Sequence, residues 1–351
     1  MPTDTAWSVA KPDSLGLDDS QLRSVAGWLD RLPGCNVHAV VVARNGALAF
    51  EHYRNGADEK WRKPIEAATH GPGTKHDLRS VTKSILGLLV GIAVEEGAVS
   101  SLDEPIFTYF SEYSALRTPA KDRILLRHLL TMSAGFAWDE NLPADNPDNG
   151  EMRMWRSKDY LRTALEPAVV DEPGTNWNYS GGCSELLGAI LVRAAGMSVE
   201  DYARDKLFEP LGIADVEWLK HANGCVSVSG GLRMRAPDLA KIGHLVAARG
   251  RWQERQIVPA WWIDESLAPQ IGASDRLFFY SYHWWLGRSL LQRREIDWAA
   301  GIGLGGQRLF VVPSLGLSVA VTAGHYSDGM QTWVPLVILN RFVLPALAKA
   351  G

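Results

Sequence analysis

Ser80 and Lys83, three residues apart, are the two residues whose types and spacing most clearly suggest catalytic chemistry in the sequence. They open residues 79–97, in which apolar residues recur at helical spacing and which Gly97 terminates. Side chains at positions i and i+3 share one face of a helix, so the hydroxyl and the amine can meet. A serine hydroxyl becomes a useful nucleophile when a neighbouring base takes its proton. The alternative interpretation is a first-turn serine beside a solvated lysine.

Tyr179 is a second candidate, in the loop 176–182 between a Pro-Gly turn and the start of an apolar helix. Loops in such places present side chains to clefts, although a tyrosine there can also be a plain loop aromatic. The ordinary pKa values of lysine and tyrosine are about 10.4 and 10, so holding either group in its basic form at neutral pH costs roughly 4 kcal/mol. Lys83 and Tyr179 would titrate together, and the sequence leaves open which of them is the base.

The run Gly301–Gln307 matches the pattern Gly-x-Gly-x-x-Gly. A dinucleotide fingerprint must follow a strand and open a helix, whereas here the β-rich residues 308–312 follow. Glycines beside a strand allow a ligand to approach the backbone closely. We therefore expect an oxyanion hole made of backbone N–H groups, with Ser80 and Gln307 as the donors.

Three segments together resemble a known family: residues 79–84, residues 172–182, and residues 304–307 with the following Val-Val-Pro. They are similar to the serine β-lactamase and penicillin-binding-protein superfamily, in its class C β-lactamase and esterase branch, nearest to the 6-aminohexanoate-dimer hydrolases. The likeness covers roughly residues 20–345. It implies an acyl-enzyme formed on Ser80 with help from Lys83 and Tyr179, and it requires no metal and no cofactor.

Two departures from that family bear on the substrate. Where the family often has Tyr-x-Asn, this chain has Tyr179 followed by Ser180 and Gly181, so a side-chain amide is missing. Where β-lactamases place a lysine that binds a carboxylate, this chain has Leu304. We expect a carboxylesterase or amidase acting on small neutral acyl substrates. The predicted substrate contacts are Leu304, Gly305, Gly306, Trp177 and Trp284.

Two other functions remain alternatives. The first is a β-lactamase or D,D-peptidase, which Leu304 disfavours. The second is a catalytically silent relative that serves as a binding or scaffold protein, which intact Ser80, Lys83 and Tyr179 disfavour.

The predicted fold class is α/β (α+β), because β-rich runs lie at both chain ends and helices lie between them. Asn45-Gly46 between two such runs predicts a hairpin, and the polar residues 54–75 predict a loop. We expect one antiparallel sheet lobe from residues 1–78 plus 235–351. A mainly helical lobe, 79–234, is inserted, and the active site lies in the cleft between the lobes.

Composition limits the partners. The 351 residues carry a net charge of −4, so no basic surface favours nucleic acid. The first residues lack a secretory pattern, and no apolar run of about 18 residues predicts a membrane span. Three scattered cysteines favour a reducing compartment, and the nine histidines show no metal-ligand spacing. We expect a cytoplasmic enzyme with a small-molecule ester or amide substrate, and its oligomeric state stays open.

Overall fold

The computed structural model describes residues 7–273 and 277–348. Its strands are β1 (Ser8–Val9), β2 (Val37–Arg44), β3 (Ala47–Tyr53), β4 (Gly56–Lys60), β5 (Lys63–Ala68), β6 (Lys75–Asp77), β7 (Glu217–Trp218), β8 (Leu232–Arg235), β9 (Arg251–Trp252), β10 (Arg255–Gln256), β11 (Ile271–Ala273), β12 (Phe278–Ser281), β13 (Trp284–Leu291), β14 (Arg294–Gly303), β15 (Gln307–Val312) and β16 (Leu317–Ala323).

Its α-helices are α1 (Asp19–Arg31), α2 (Val81–Glu95), α3 (Leu126–Leu130), α4 (Gly150–Arg156), α5 (Tyr160–Leu165), α6 (Gly181–Ala195), α7 (Val199–Ala203), α8 (Ala236–Ala247), α9 (Ala260–Leu267), α10 (Met330–Val337) and α11 (Leu344–Ala348). Short 3₁₀ turns connect several of them, and π-helical turns follow α7 and α10.

A nine-stranded sheet built from both ends of the chain forms the centre of the fold, in the order β1-β3-β2-β16-β15-β14-β13-β12-β11. All its neighbours are antiparallel except β1 and β3. The closing contact pairs β2 with β16, which joins the first and last parts of the sheet. The predicted fold class and the Asn45-Gly46 hairpin are therefore confirmed.

Each face of the sheet carries its own hydrophobic core. Helices α1, α10 and α11 cover one face, where Leu22, Leu29, Val334 and Ile338 are buried. Helix α2 lies against the other face and is buried on almost every side, because its residues are apolar nearly all round. The start of α2 is therefore held between the sheet and the helices that come from the middle of the chain.

The region predicted as a loop, residues 54–75, instead contains the hairpin β4–β5. Its two-residue turn places Trp61 and Arg62 at positive φ, a conformation that sequence patterns assign to Gly or Asn. A separate three-stranded sheet, β6-β8-β7, was also not predicted, because its strands are short and β6 pairs with β8 across more than 150 residues.

The last helical run, Met330–Leu347, is long and apolar enough to pass a length-and-composition test for a membrane span, with a mean hydropathy of 1.2. The prediction that the chain contains no apolar run of about 18 residues is therefore wrong. Core helices pass the same test, and 44% of this segment is buried within the protein, where Val334, Ile338 and Leu339 contact the sheet core.

Gly91 offers a direct test of how tightly α2 is packed. A Cβ atom at this position would lie 2.4 Å from the ring of Trp262, which is fully buried. We expect Gly91→Ala to lower the free energy of unfolding by about 1–3 kcal/mol, the usual cost of overpacking. Denaturant unfolding measures this loss. Gly71→Ala is the control, because nothing lies within 4 Å of its added Cβ, and equal stability of the two variants would contradict the packing.

Candidate active site

Ser80 stands immediately before α2, as its N-terminal cap residue. The preceding residue, Arg79, has a φ of 49°, a left-handed conformation that is uncommon for a residue with a side chain. The Arg79 guanidinium contacts Glu59 at 2.7 Å and lies over the ring of Tyr326. These contacts hold the bend that turns strand β6 into α2 and leaves the Ser80 hydroxyl half-buried at the turn.

The Lys83 ammonium lies on the same helix face as Ser80, as the spacing predicts. Its Nζ donates to Ser80 Oγ at 3.0 Å and to the backbone oxygen of Ser229 at 2.7 Å. The side chain is 2% exposed. Burial lowers the pKa of Lys83, but Tyr179, Glu140 and nearby carboxylate charge outweigh it, so the pKa is raised overall.

Tyr179 meets this pair from a different part of the chain. Its ring centroid lies 4.9 Å from Lys83 Nζ. Burial raises the pKa of Tyr179, while the Lys83 ammonium and the Ser80 side chain oppose that rise. The next residue, Ser180, caps α6 by accepting from Cys183 N–H, and the Asn178 amide donates to the backbone oxygens of residues 136 and 138. The backbone around Tyr179 is therefore held by the helix cap on one side and by the Asn178 hydrogen bonds on the other.

Glu185 holds the segment that contains Ser227 and Ser229 in place beside Lys83, and sequence reasoning missed this residue. Its buried carboxylate accepts from Ser229 N–H at 3.1 Å, from Ser229 Oγ at 2.6 Å and from Ser227 Oγ at 2.8 Å. Burial raises the pKa of Glu185, but the contact with His221 and the hydrogen bonds from Ser229 and Ser227 outweigh it, so the pKa is lowered overall. These hydrogen bonds also fix the Ser229 carbonyl that accepts from Lys83. Only the fold brings residues 83, 185 and 229 together, so no local pattern could have identified Glu185.

A cavity of about 630 Å³ opens above Ser80 and Tyr179. Of the predicted substrate contacts, it exposes Trp177 and Leu304. Apolar side chains contribute much of its lining: Leu142, Met152, Trp155, Trp177, Leu219, Phe278, Trp285, Trp298, Ile302, Leu304, Phe310 and Leu336. Polar and charged groups also line the cavity, among them Arg62, Glu140 and Glu151.

Gln307, predicted as a backbone oxyanion donor, is not among the described residues that line this cavity. Its side chain is fully buried, and its amide exchanges hydrogen bonds with the backbone of Ala323. Gly305 and Gly306, predicted to contact substrate, form the tight turn between β14 and β15 at φ of 87° and 95° and do not line the cavity. Gly305 and Gly306 therefore shape a turn in this chain, while their preceding neighbours in the same glycine-rich run, Ile302 and Gly303, line the cavity.

Those neighbours lie at the end of β14. Pairing with β13 stops at Ala300, so residues 301–303 have a strand partner only in β15. Ile302 and Gly303 line the cavity, and a Cβ on Gly303 would come within 3.1 Å of Arg79 Cβ. This free strand edge runs directly beside the Ser80 turn.

Trp284 also differs from the prediction. Its side chain is fully buried and faces the core, whereas the neighbouring Trp285 lines the cavity. Successive residues of a strand point to opposite faces, so one of the two had to face inward. The Trp-Trp sequence alone does not show which. Trp285 packs edge-on against Trp177 with ring centroids 5.3 Å apart, which makes these two rings the aromatic lining nearest Tyr179.

Glu140 is the second residue that sequence reasoning missed. It lines the cavity from the loop between α3 and α4, and its Oε2 accepts from Gly181 N–H at 2.6 Å and from Trp138 Nε1 at 2.8 Å. Burial raises the pKa of Glu140, the Lys83 ammonium opposes that rise, and Glu151 adds to it. Residues 139–150 are rich in Asp, Asn and Pro, and nothing in that composition singles out one carboxylate.

A histidine cluster lies away from the cavity. His38, Asp58 and His70 offer potential metal ligands that all come within 4.8 Å of one another, although the sequence shows no metal-ligand spacing. The rings of His38 and His70 are stacked at 3.9 Å and 8°. Imidazole lone pairs lie in the ring plane, so stacked rings do not aim at one shared ion. His38 also exchanges a 2.9 Å hydrogen bond with His76, and the described contacts are those of a buried polar network.

Comparison with known proteins places these features in a wider group. A model of the beta-lactamase family matches residues 26–331. The 6-aminohexanoate-dimer hydrolase of Paenarthrobacter ureafaciens is 24% identical over 320 residues, which cover 85% of this chain and 75% of the relative. The beta-lactamase of Escherichia coli K12 is 32% identical over 138 residues, 39% of this chain. The alignments with the first curated relatives span only 33–37% of their own length.

Solved structures share the fold. EstCE1, a hydrolase with promiscuous acyltransferase activity, superposes with a TM-score of 0.73 at 18% identity, covering 95% of this chain and 99% of the other. A family VIII carboxylesterase gives a TM-score of 0.71 at 17% identity, covering 98% and 99%. At this level of identity the likeness concerns the fold.

The protonation of Lys83 and Tyr179 predicts how the site responds to pH. Both pKa values are raised, so both groups hold their protons at neutral pH, and the form that can accept the Ser80 proton grows about tenfold for each unit of rising pH. We expect the rate at which a fluorophosphonate labels Ser80 to rise between about pH 6 and 9. Labelling reactions that are quenched at successive times and analysed by mass spectrometry measure that rate. A rate that falls as the pH rises would contradict the role of Lys83 and Tyr179 as the base. The Tyr179→Phe variant keeps the ring but lacks the hydroxyl, and its labelling rate can be measured in parallel.

Proposed function

Because this chain belongs to the β-lactamase family, we propose that it is a serine hydrolase that forms an acyl-enzyme on Ser80 and acts as a carboxylesterase or amidase. The observation that carries the proposal is the convergence of Ser80, Lys83 and Tyr179 at the floor of a cavity of about 630 Å³. A nucleophile, an amine and a phenol within mutual reach can form and break an acyl bond without any further group.

The reaction begins when Ser80 Oγ attacks the carbonyl carbon of the substrate. The Ser80 proton passes to the Lys83–Tyr179 pair, and a new C–O bond forms as the carbonyl π electrons move to oxygen. When the tetrahedral intermediate collapses, the leaving alcohol or amine takes a proton from the same pair. Water then attacks the acyl-enzyme, gives its proton to the pair and releases the acid, and Ser80 regains a proton.

Backbone N–H groups would hold the negative oxygen of the intermediate. The N–H of Ser80 has no backbone acceptor among the described residues outside regular helices and strands. We assign the second donor to the free edge of β14, with Ile302 as the candidate, because this residue lines the cavity and lies beyond the last pairing with β13. Donors fixed in this way need no reorganisation during the reaction.

The cavity favours neutral acyl groups. Leu304 lines it and is 43% exposed, and an exposed leucine offers no charge to a substrate carboxylate. Arg308 also lies at the wall, but its guanidinium donates to the backbone oxygens of Gly303, Gln307 and Gln331. The aromatic rings of Trp177 and Trp285 add apolar surface for an acyl chain.

Substitution of the nucleophile tests the proposal. We expect Ser80→Ala to abolish turnover of p-nitrophenyl acetate and butyrate and labelling by a fluorophosphonate, because the variant lacks the cavity-lining hydroxyl oxygen that accepts from Lys83 Nζ at 3.0 Å. Ser84→Ala is the matched control, since this serine lies one turn further along α2 and donates to the His283 backbone oxygen. Activity that survives in Ser80→Ala would overturn the proposal, and nitrocefin turnover by the wild type would favour a β-lactamase.

Substitution of Leu304 tests the substrate class. We expect Leu304→Lys to raise kcat/KM for an ester with an acyl carboxylate, relative to p-nitrophenyl butyrate, by about 2- to 5-fold, the effect of one exposed ion pair. Leu304→Met keeps the site neutral and should leave the ratio unchanged. Steady-state kinetics on both esters provide the measurement, and an equal ratio in the lysine variant would show that Leu304 does not face the acyl group.

A further inference from the structure

Gly181 leaves a gap beside Tyr179 that a carboxylate from another loop fills. A Cβ atom at Gly181 would lie 3.3 Å from Glu140 Oε2, so Glu140 stands where a side chain of residue 181 would extend. The same oxygen accepts from Gly181 N–H at 2.6 Å and from Trp138 Nε1 at 2.8 Å. Two N–H donors fix one carboxylate oxygen, and the residue still lines the cavity with Ser80 and Tyr179.

We propose that Glu140 is a positioning residue for the acyl-transfer site, which replaces the missing side chain of residue 181 and holds the Lys83–Tyr179 pair in its protonated resting form. This inference rests on the proposed function, since it concerns the same pair. Glu140 forms no bond with the substrate carbonyl and donates no proton. It acts on Ser80 only through Lys83 and Tyr179.

Charge supports this role. The Glu140 carboxylate raises the pKa of both Lys83 and Tyr179, and the Lys83 ammonium in turn opposes the rise in the pKa of Glu140. Other titratable groups with electrostatic influence on this cluster come from several elements: Glu151 on α4, Cys183 on α6, Tyr280 on β12, and His283 in the turn before β13.

Glu151 differs from Glu140 in its partner. It also lines the cavity, but its carboxylate forms a 2.7 Å ion pair with Arg62, and its side chain is 28% exposed. Glu140 has no ion-pair partner of its own among the described residues, so its charge is directed towards Lys83. A mere structural brace would need the two N–H hydrogen bonds but not the charge.

The first experiment separates charge from shape. Glu140→Gln keeps an oxygen acceptor for Gly181 and Trp138 and removes the charge. We expect the pH at which Tyr179 ionises to fall by about one unit or more. This ionisation is read from tyrosinate absorbance near 295 nm, as the difference between each protein and the same protein carrying Tyr179→Phe. The acid limb of the kcat/KM profile should move to lower pH by a similar amount.

Glu151→Gln is the control for this experiment. Its charge is balanced by Arg62, so its shift should be smaller than that of Glu140→Gln. Superimposable titrations for wild type and Glu140→Gln, or a larger shift in Glu151→Gln, would overturn the inference. The absorbance titration needs no turnover. Failure of the inference is therefore distinguishable from failure of the proposed function, which survival of activity in Ser80→Ala would reveal.

A second experiment tests whether Glu140 occupies the place of residue 181. Glu140→Ala leaves two N–H donors without their acceptor, and Gly181→Asn forces a side chain against Glu140. We expect each to lower kcat/KM roughly tenfold or more. The double variant should recover much of that loss, because the Asn side chain enters the vacated space. Losses that multiply in the double variant would show that the two positions act independently.

Discussion

The buried ammonium of Lys83 is the interaction on which the rest of the site depends. A cation that is 2% exposed is costly unless partners surround it, and Lys83 has Ser80 Oγ, the Ser229 carbonyl and the Tyr179 ring. Each of these comes from a different segment of the chain. The helix α2, the 227–229 segment and the loop before α6 must therefore be in place together before the amine can be buried.

Much of the fold serves that requirement. Helix α2 is buried on nearly all sides and cannot rotate to expose Lys83, while Glu185 holds the carbonyl of Ser229 from below. The left-handed turn at Arg79 sets the Ser80 hydroxyl at the start of the helix. The sheet contributes its free edge at the end of β14, where its last residues meet the same turn.

The cavity lining combines apolar and charged groups, and this combination frames the proposed specificity. Aromatic rings and Leu304 supply apolar surface, and the lining arginines Arg62, Arg79 and Arg308 are paired with carboxylates or backbone oxygens, which supports the proposal of neutral acyl groups. The carboxylates of Glu140 and Glu151 also line the cavity, near Lys83. Their charge raises the pKa of Lys83, so in the proposed mechanism the environment that stabilises the buried amine also sets the pH at which it acts as a base.

The sequence by itself determined the local features. The hairpin at Asn45-Gly46, the buried helix that begins beside Ser80, the (i, i+3) pairing with Lys83, and the β-rich runs at both ends are set by spacing within a few residues. Three ordered motifs were enough to indicate the family. These features follow from helix periodicity and turn geometry, which need no knowledge of distant contacts.

Only the tertiary structure decided the rest. It placed Gly305 and Gly306 in a turn rather than at the cavity, buried the Gln307 side chain at the start of β15, turned Trp284 into the core and Trp285 outward, and brought Glu140 and Glu185 to the site. The β4–β5 hairpin and the pairing of β6 with β8 were equally invisible, because polar composition concealed the first and long sequence separation the second. The physical reason is common to all of them: which face of a strand is buried, and which distant carboxylate fills a gap, depends on packing between segments that the sequence keeps far apart.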